Sequence, residues 1–211
     1  MRIIAIDGPA GAGKSTVARA LAARLGLEYL DTGAMYRAVT LAAMQRGIDP
    51  DDVEPVAALA RELSLEVSDA GVIVDGYDAT TEIRSPAVTT AVSAVAANSA
   101  VRAELVERQR DWATRRGGGV LEGRDIGSVV FPDAELKLYL TAAPRVRAER
   151  RVAESGGNVD EIAEAIERRD QHDLSRVDSP LVKADGSIVV DTTGLGIDEV
   201  LAQIEQLLEH E

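Results

Sequence analysis

The chain has no cysteine among its 211 residues. This absence excludes disulfides, thiolate zinc sites and cysteine nucleophiles. Nor does any apolar run approach the roughly 20 residues that a membrane-spanning helix requires. Residues 2–7 already have the pattern of a buried strand, so we expect no signal peptide and a cytoplasmic protein. A chain of this length can bury a full core without disulfides or structural metals.

Positive charge is also scarce, since the formal net charge is −13 and there are only three lysines. Nucleic-acid polymers bind to basic faces, so this balance argues against such a partner. Thirteen of the twenty arginines lie between Arg102 and Arg176, whereas residues 49–82 hold ten acids and one arginine. We expect most of the acids on solvated faces. The arginine-rich half of the chain suggests a local anion site.

Apolar runs and glycine breaks predict a regular alternation of strands and helices. Val17, Leu21 and Leu25 recur at helical spacing, which indicates an amphipathic helix that ends at Gly26. The pattern predicts an α/β fold, with a five-stranded parallel sheet as its core and helices on both faces. The runs predicted as its strands are residues 2–7, 27–30, 120–122, 136–140 and 188–190.

The middle of the chain interrupts this alternation. Residues 65–67 and 72–74 are short β runs on either side of a glycine turn, which predicts an antiparallel hairpin in a small inserted α+β module. A helix is expected near 53–63 before the hairpin. Two more are expected after it, near 86–97 and 99–115, with Ser99 as a candidate N-cap of the second.

The glycine-rich loop after the first strand matches the pattern G-x-x-x-x-G-K-[ST] at every fixed position, between a buried strand and an amphipathic helix. Glycines let backbone N–H groups turn toward phosphate oxygens, and the helix N-terminus favours negative charge. Lys14 is expected to reach the β and γ phosphates of a nucleoside triphosphate, and Ser15 to bind Mg²⁺. The predicted ATP-binding residues are Gly8, Pro9, Ala10, Gly11, Ala12, Gly13, Lys14, Ser15 and Thr16.

This loop alone does not separate a kinase from a GTPase or a motor ATPase. Guanine recognition requires Asn-Lys-x-Asp, and neither Asn98 nor Asn158 precedes a lysine. Residues 191–194 match the switch-like D-x-x-G, but so late in the chain that we interpret the match as coincidental. The short chain, its insert and its arginines favour a kinase with a small acceptor.

Arginines and acids recur where the predicted strands end. Residues 31–37 open a helix at the end of the second strand, and residues 122–125 end another strand. In an open α/β sheet this edge is where ligands bind. Arg169, Asp173 and Arg176 alternate in sign along a long predicted helix. A single arginine on a surface usually forms only a weak ion pair, but three segments that converge on one edge indicate an anion-binding site.

At this point the sequence closely resembles the bacterial cytidylate kinase family, over nearly the whole chain. The segments that carry the resemblance are IDGPAGAGKST, LDTGAMYRAV, residues 93–102, EGRDIGSVVFPDAELKLYL, RRDQHDLSR with SPLVKADG after it, and VDTTGL. Two of them, DTGAMYR and GRDIGSVVFPDA, are typical of that family rather than of P-loop proteins in general. The resemblance implies phosphoryl transfer from ATP, with Mg²⁺, to CMP or dCMP in pyrimidine metabolism.

The resemblance also implies roles for individual residues. Arg37, Arg124 and Arg176 would bind the CMP phosphate, with Thr32 beside them. Ser93, Arg102 and Asp125 would contact cytosine, and Arg169 and Asp173 the ribose. Lid arginines would lie near the ATP phosphates. The residues assigned to catalysis are Lys14, Arg124, Arg147, Arg150 and Arg151, and no general base is assigned, because the acceptor is already an anionic phosphate.

The implied organisation has a P-loop core in residues 1–34 and 98–211, which contains a lid near 147–160. Residues 35–97 would be the monophosphate-binding region, with a β-hairpin insert near 64–84. We expect a monomer. Two alternatives stay open: a short P-loop kinase for UMP, dTMP or a metabolite that is not a nucleotide, and a nucleotide-dependent regulatory binder without catalysis.

Overall fold

The computed structural model describes residues 1–176 and 178–208. Along the chain the helices and strands are β1 (Arg2–Asp7), α1 (Lys14–Leu25), β2 (Tyr29–Asp31), α2 (Thr32–Gln45), α3 (Val53–Glu62), β3 (Leu65–Ser68), β4 (Gly71–Val74), β5 (Tyr77–Asp78), α4 (Pro86–Ala97), α5 (Ser99–Arg116), β6 (Gly118–Gly123), β7 (Leu136–Thr141), α6 (Pro144–Ser155), α7 (Val159–Ser175), β8 (Ile188–Asp191) and α8 (Ile197–Leu208). A 3-10 turn spans Glu82–Arg84, and a π-helical turn spans Ile126–Val130.

Within the described residues, five strands form one sheet in the order β2-β6-β1-β7-β8. Strand β1 pairs in parallel with both β6 and β7, and β8 pairs in parallel with β7. Helices connect the strands, as parallel neighbours require, because each chain must cross back before it can re-enter the sheet in the same direction. The predicted five-stranded parallel core flanked by helices is confirmed.

The core of the sheet follows from the alternation of apolar side chains. In β7, Leu136, Leu138 and Leu140 are buried, whereas the residues between them are partly exposed. On α1, Val17 and Leu21 are buried on the face predicted from their spacing. Full burial of such a side chain contributes about 1.5–3 kcal/mol. This packing provides a rigid support for the loops at the carboxyl ends of the strands.

The chain divides into two compact units. The first comprises Met1–Tyr29 and the described residues from Gly117 onward, and the second comprises Leu30–Arg116. The predicted core included residues 98–116, but these form α5 and lie in the second unit. The reason is that α5 packs on α3 and α4, its neighbours along the chain.

The second unit contains an antiparallel sheet of β3, β4 and β5. The predicted hairpin is present, with Leu65 opposite Val74 and Ser68 opposite Gly71. Strand β5 was not predicted, because it is only two residues long. The predicted N-cap of α5 is wrong by one residue: Ser99 begins the helix, and the side chain of Asn98 accepts from the N–H groups of Ala100 and Val101.

None of the described helices combines the length and the apolar character that are needed to cross a membrane.

Candidate active site

The glycine-rich loop runs from the end of β1 into α1. Gly8 has φ +146°, and a Cβ atom there would lie 2.0 Å from the carbonyl oxygen of Leu140 on the neighbouring strand. Only glycine fits this position, for its backbone angle and for the space. Gly13, which precedes α1 and also has positive φ, contributes no capping side chain. A helix N-terminus without such a cap suits an anion.

Lys14 is buried at the start of α1, and its Nζ donates to the carbonyl oxygen of Pro9 at 2.9 Å. Burial and the nearby Arg124 and Arg169 guanidinium groups lower the pKa of Lys14 to about 7, against the opposing charges of Glu122 and Asp7. Because burial disfavours the charged lysine, a bound polyanion would stabilise its charge strongly.

A second group of charged residues lies at the end of β6, which is the strand next to β1 in the sheet. The Nε of Arg124 donates to the Asp173 carboxylate at 3.0 Å, and Arg176 donates to the other oxygen of the same carboxylate. Burial raises the pKa of Asp173, but the charges of Arg124 and Arg176 outweigh burial and leave the pKa below its usual value. This carboxylate therefore stays ionised and holds two arginines together.

Helix α7 ends at Ser175, so Arg176 is its C-cap and not, as predicted, part of the helix. Arg169 lies one turn before Asp173, and its charge acts on both Asp173 and Lys14. The structure thus gathers Arg124, Arg169 and Arg176 around one carboxylate. Three cations around one acid leave a positive balance, which suits a phosphate group.

The predicted lid arginines have distinct surroundings. Arg147 is buried and donates to the carbonyl oxygen of Ala10 at 3.1 Å and to the Asp170 carboxylate. Asp170 in turn accepts from the N–H of Ala10 at 3.3 Å. Residues of α6 and α7 thereby bind both backbone polar groups of one residue, Ala10, in the glycine-rich loop. Arg147 is held by the loop itself, and this geometry indicates a structural role.

Arg150 also lies beside the glycine-rich loop. It donates to the side-chain oxygen of Thr192 at 2.8 Å and to the Thr192 carbonyl oxygen at 2.7 Å, and Thr192 donates to the carbonyl oxygen of Ala12 at 3.2 Å. Arg151 instead pairs with Glu154 on its own helix at 3.1 Å. Thr192, within the segment that resembles D-x-x-G, therefore supports the loop.

Asp125, buried directly after β6, belongs to the first unit, whereas four other predicted residues belong to the second: Thr32, Arg37, Ser93 and Arg102. Thr32 is buried at the start of α2, where Asp31 accepts from the N–H of Ala34 at 3.0 Å and caps the helix. Arg37 donates to the carbonyl oxygen of Ile83 at 3.1 Å and to Thr89 at 2.8 Å. These bonds fix the guanidinium one turn inside α2, as the sequence predicted.

Two further predicted residues lie on α4 and α5. Arg102 is buried, donates to the carbonyl oxygen of Ala96 at 3.1 Å and lies over the ring of Tyr36, with 5.4 Å from Cζ to the ring centre. Ser93 is partly buried in the middle of α4. The ring of Tyr36 orients the planar guanidinium group of Arg102, so the N–H donors of this group are preorganised.

Sequence reasoning missed three residues that hold these groups in place. Asp7 and Asp170 accept from backbone N–H groups of other segments, and Thr192 joins the glycine-rich loop to the end of β8. Asp7 directly precedes the loop motif, and Asp170 is next to Arg169 in the sequence. Their positions beside predicted site residues could have indicated a role for both. Their partners are far away in sequence, and no local pattern identifies them.

The role of Arg147 gives a prediction on stability. Arg147→Met leaves the buried Asp170 without its cation, so we expect the free energy of unfolding to fall by about 3 kcal/mol, as when one partner of a buried pair is removed. The control is Arg145→Met on the same helix, which breaks only exposed pairs with Glu149 and Asp160 and should change stability by less than about 0.5 kcal/mol. Equal denaturant midpoints for the two variants would contradict the structural role.

Comparison with known proteins agrees with this fold and this loop. A crystal structure of a gluconokinase from Sinorhizobium meliloti superposes with a TM-score of 0.51 at 15% identity and covers 99% of this chain and 94% of that one. At this identity the likeness concerns the fold alone. The fold and the glycine-rich loop define a protein of the P-loop class.

Sequence relatives are closer. The family model described as cytidylate kinase matches residues 4–210. A cytidylate kinase of Corynebacterium efficiens is 49% identical over 216 residues, which cover 98% of this chain and 94% of the relative. One of Bacillus pumilus is 48% identical over 210 residues and covers 95% and 93%. The chain belongs to the cytidylate kinase family.

Proposed function

We propose that the protein transfers the γ-phosphoryl group of ATP to CMP or dCMP, which gives ADP and CDP or dCDP. The observation that carries this proposal is the shared sheet edge in the first unit. There Lys14, at the start of α1, lies in the electrostatic field of Arg124 and Arg169, which surround Asp173. Membership of the family supports the choice of acceptor.

The glycine-rich loop, residues 8–16, would hold the triphosphate of ATP. Ser15 is exposed on the first turn of α1 and offers a hydroxyl oxygen, which is the kind of ligand that Mg²⁺ prefers. No cluster of three or more His, Asp or Glu side chains suited to a metal occurs in the described part of the chain. Ser15 therefore fits a magnesium ion that takes most of its ligands from the phosphates and from water, and this ion would neutralise charge on the β and γ phosphates.

We assign contacts to the acceptor in each unit separately. In the first unit we assign the phosphate to Arg124 and Arg176, the base to Asp125 and the ribose to Arg169 and Asp173. In the second unit we assign the phosphate to Thr32 and Arg37 and the base to Ser93 and Arg102. Support comes from the burial and the fixed geometry of these side chains.

The chemistry requires alignment and neutralisation of charge more than proton transfer. The acceptor oxygen of a nucleoside monophosphate is already anionic at neutral pH, so the reaction needs no general base. Lys14 and the arginines near it would stabilise the charge that spreads over the transferred group. Arg150 lies beside Gly13, 3.5 Å from the position of a Cβ there, and is the α6 arginine best placed to contact bound phosphates.

An acceptor screen tests the proposed function. ADP release would be measured with ATP and Mg²⁺ for CMP, dCMP, UMP, AMP and dTMP, each over a range of concentrations. We expect kcat/KM to be highest for CMP and dCMP by at least tenfold. Higher values for UMP or dTMP would indicate another P-loop kinase, and ATP consumption that is independent of every acceptor would favour a regulatory binder.

Hydrogen exchange tests the proposed lid and monophosphate-binding region. We expect residues 49–82 and 147–160 to gain protection when CMP and a non-hydrolysable ATP analogue are both present, because a kinase must exclude water to avoid ATP hydrolysis. Each ligand alone should protect less. Unchanged exchange in both segments would contradict these assignments. We also propose that the protein is a cytoplasmic monomer, and gel filtration can check the oligomeric state.

A further inference from the structure

Asp7 is a buried carboxylate with no role in the ATP and CMP contacts proposed above. It is the last residue of β1 and directly precedes Gly8, the first residue of the glycine-rich loop. Only 4% of its surface is exposed. One carboxylate oxygen accepts from the N–H of Ile126 at 2.9 Å, and the other accepts from the N–H of Gly127 at 2.8 Å.

These two N–H groups belong to the segment that follows Arg124 and Asp125. Strands β1 and β6 pair in parallel up to Asp7 and Gly123, where the ladder of backbone hydrogen bonds ends. The carboxylate of Asp7 then continues the connection, because it binds the first two N–H groups of the π-helical turn (Ile126–Val130). One side chain therefore joins the entry of the glycine-rich loop to the segment that carries Arg124 and Asp125.

The charge of Asp7 is unfavourable for folding. Burial and the nearby Asp125 carboxylate raise the pKa of Asp7 to about 6, against the two N–H bonds and Lys14, which lower it. Asparagine has the same shape without the charge, but it could accept only one of the two hydrogen bonds, and its NH2 group would face the other N–H. The carboxylate therefore satisfies both N–H groups at the cost of a buried charge, and such costs are typical of functional sites.

We propose that Asp7 is a positioning residue of the phosphoryl-transfer site. Its carboxylate holds the main chain of residues 124–127 against the start of the glycine-rich loop, so that Arg124 and Asp125 keep a constant position relative to Lys14. Displacement of a reacting group by about 1 Å can lower the rate of an enzyme 10²-fold. This role rests on the proposed kinase function, since it concerns the alignment of its two substrates.

Asp7→Asn tests the role in three measurements on the whole protein. We expect kcat with ATP and CMP to fall at least tenfold, with KM for ATP within about threefold of the original, because the glycine-rich loop itself stays intact. The ratio of kcat/KM for CMP to that for UMP should narrow several-fold, since Asp125 loses its anchor. The thermal midpoint of unfolding at pH 8 should change by only about a few degrees, because the loss of one hydrogen bond and the loss of a buried charge act in opposite directions.

Asp191→Asn is the matched control. Asp191 ends β8 of the same sheet and accepts from the N–H of Thr193 at 2.9 Å, but it is exposed. This variant should keep kcat within about twofold. An unchanged kcat and acceptor ratio in Asp7→Asn would overturn the proposal, and so would a loss of activity that only matches a loss of folded protein. If the unmodified protein prefers another acceptor, the proposed function fails, whereas the ratio of variant to unmodified kcat with that acceptor still tests Asp7.

Discussion

Replacing Lys14 with alanine is expected to lower kcat about 10²–10³-fold while the protein stays folded. The magnitude is typical when one preorganised charge contact to a transition state is removed. In the structure the Nζ of Lys14 donates to the carbonyl oxygen of Pro9, and burial, together with Arg124 and Arg169, lowers its pKa. Because this surrounding disfavours the charged lysine, its removal should cost the fold little.

Lys137→Ala is a close control for this experiment. The Nζ of Lys137, on β7, donates to the carbonyl oxygen of Pro132 at 2.9 Å. Lys14 makes the same kind of bond to Pro9, also a proline five residues earlier in the sequence. We expect kcat of Lys137→Ala to stay within about threefold. Circular dichroism and thermal midpoints should match for both variants. A folded Lys14→Ala protein with near-normal kcat would refute the role of the loop in phosphoryl transfer.

Asp125→Ala is expected to lower the ratio of kcat/KM for CMP to kcat/KM for UMP at least tenfold. Cytosine carries an amino donor at its 4-position, where uracil carries a carbonyl acceptor. If Asp125 accepts from the amino group, uracil places an acceptor against a buried carboxylate. Sites that bind a substrate donor in this way can discriminate by about 10⁴, and a hydrogen bond to a charged group contributes about 1.5–3 kcal/mol.

The alternative is that Asp125 only orients Arg124 through an ion pair. The structure supplies other partners for that purpose, since Arg124 donates to Asp173 at 3.0 Å and to the carbonyl oxygen of Gly123 at 3.2 Å. The substitution should leave the π-helical turn intact, because the N–H groups of Val129 and Val130 donate to the backbone oxygen of residue 125.

The measurement is kcat/KM for both acceptors, with the exposed Asp133→Ala as the control. We expect Asp125→Ala to lose far more activity with CMP than with UMP, and Asp133→Ala to change neither by more than about twofold. If kcat/KM of Asp125→Ala falls by the same factor for both acceptors, Asp125 serves the phosphate site, and the proposed role in base recognition is wrong.

The sequence by itself determined those features that depend on residues close together along the chain. The glycine-rich loop could be predicted because its glycines, Lys14 and Ser15 act within one strand–loop–helix unit, and their spacing is fixed by the chain. The five parallel strands and the β3–β4 hairpin could be predicted because side-chain periodicity reports the burial of each segment. The family resemblance added roles for Arg37 and Asp125 that no periodicity provides, and these roles stay predictions.

Only the tertiary structure decided which partners the charged residues take. Asp7 binds N–H groups 119 and 120 residues away, and Asp170 binds one 160 residues away. Such contacts depend on the order of the strands, which places β6 and β7 on either side of β1. The same order brings Arg147 to the glycine-rich loop, where it donates to the carbonyl oxygen of Ala10. Local patterns fix which segments are buried, whereas the pairing of distant segments depends on the packing of the whole sheet, and the site is built from that pairing.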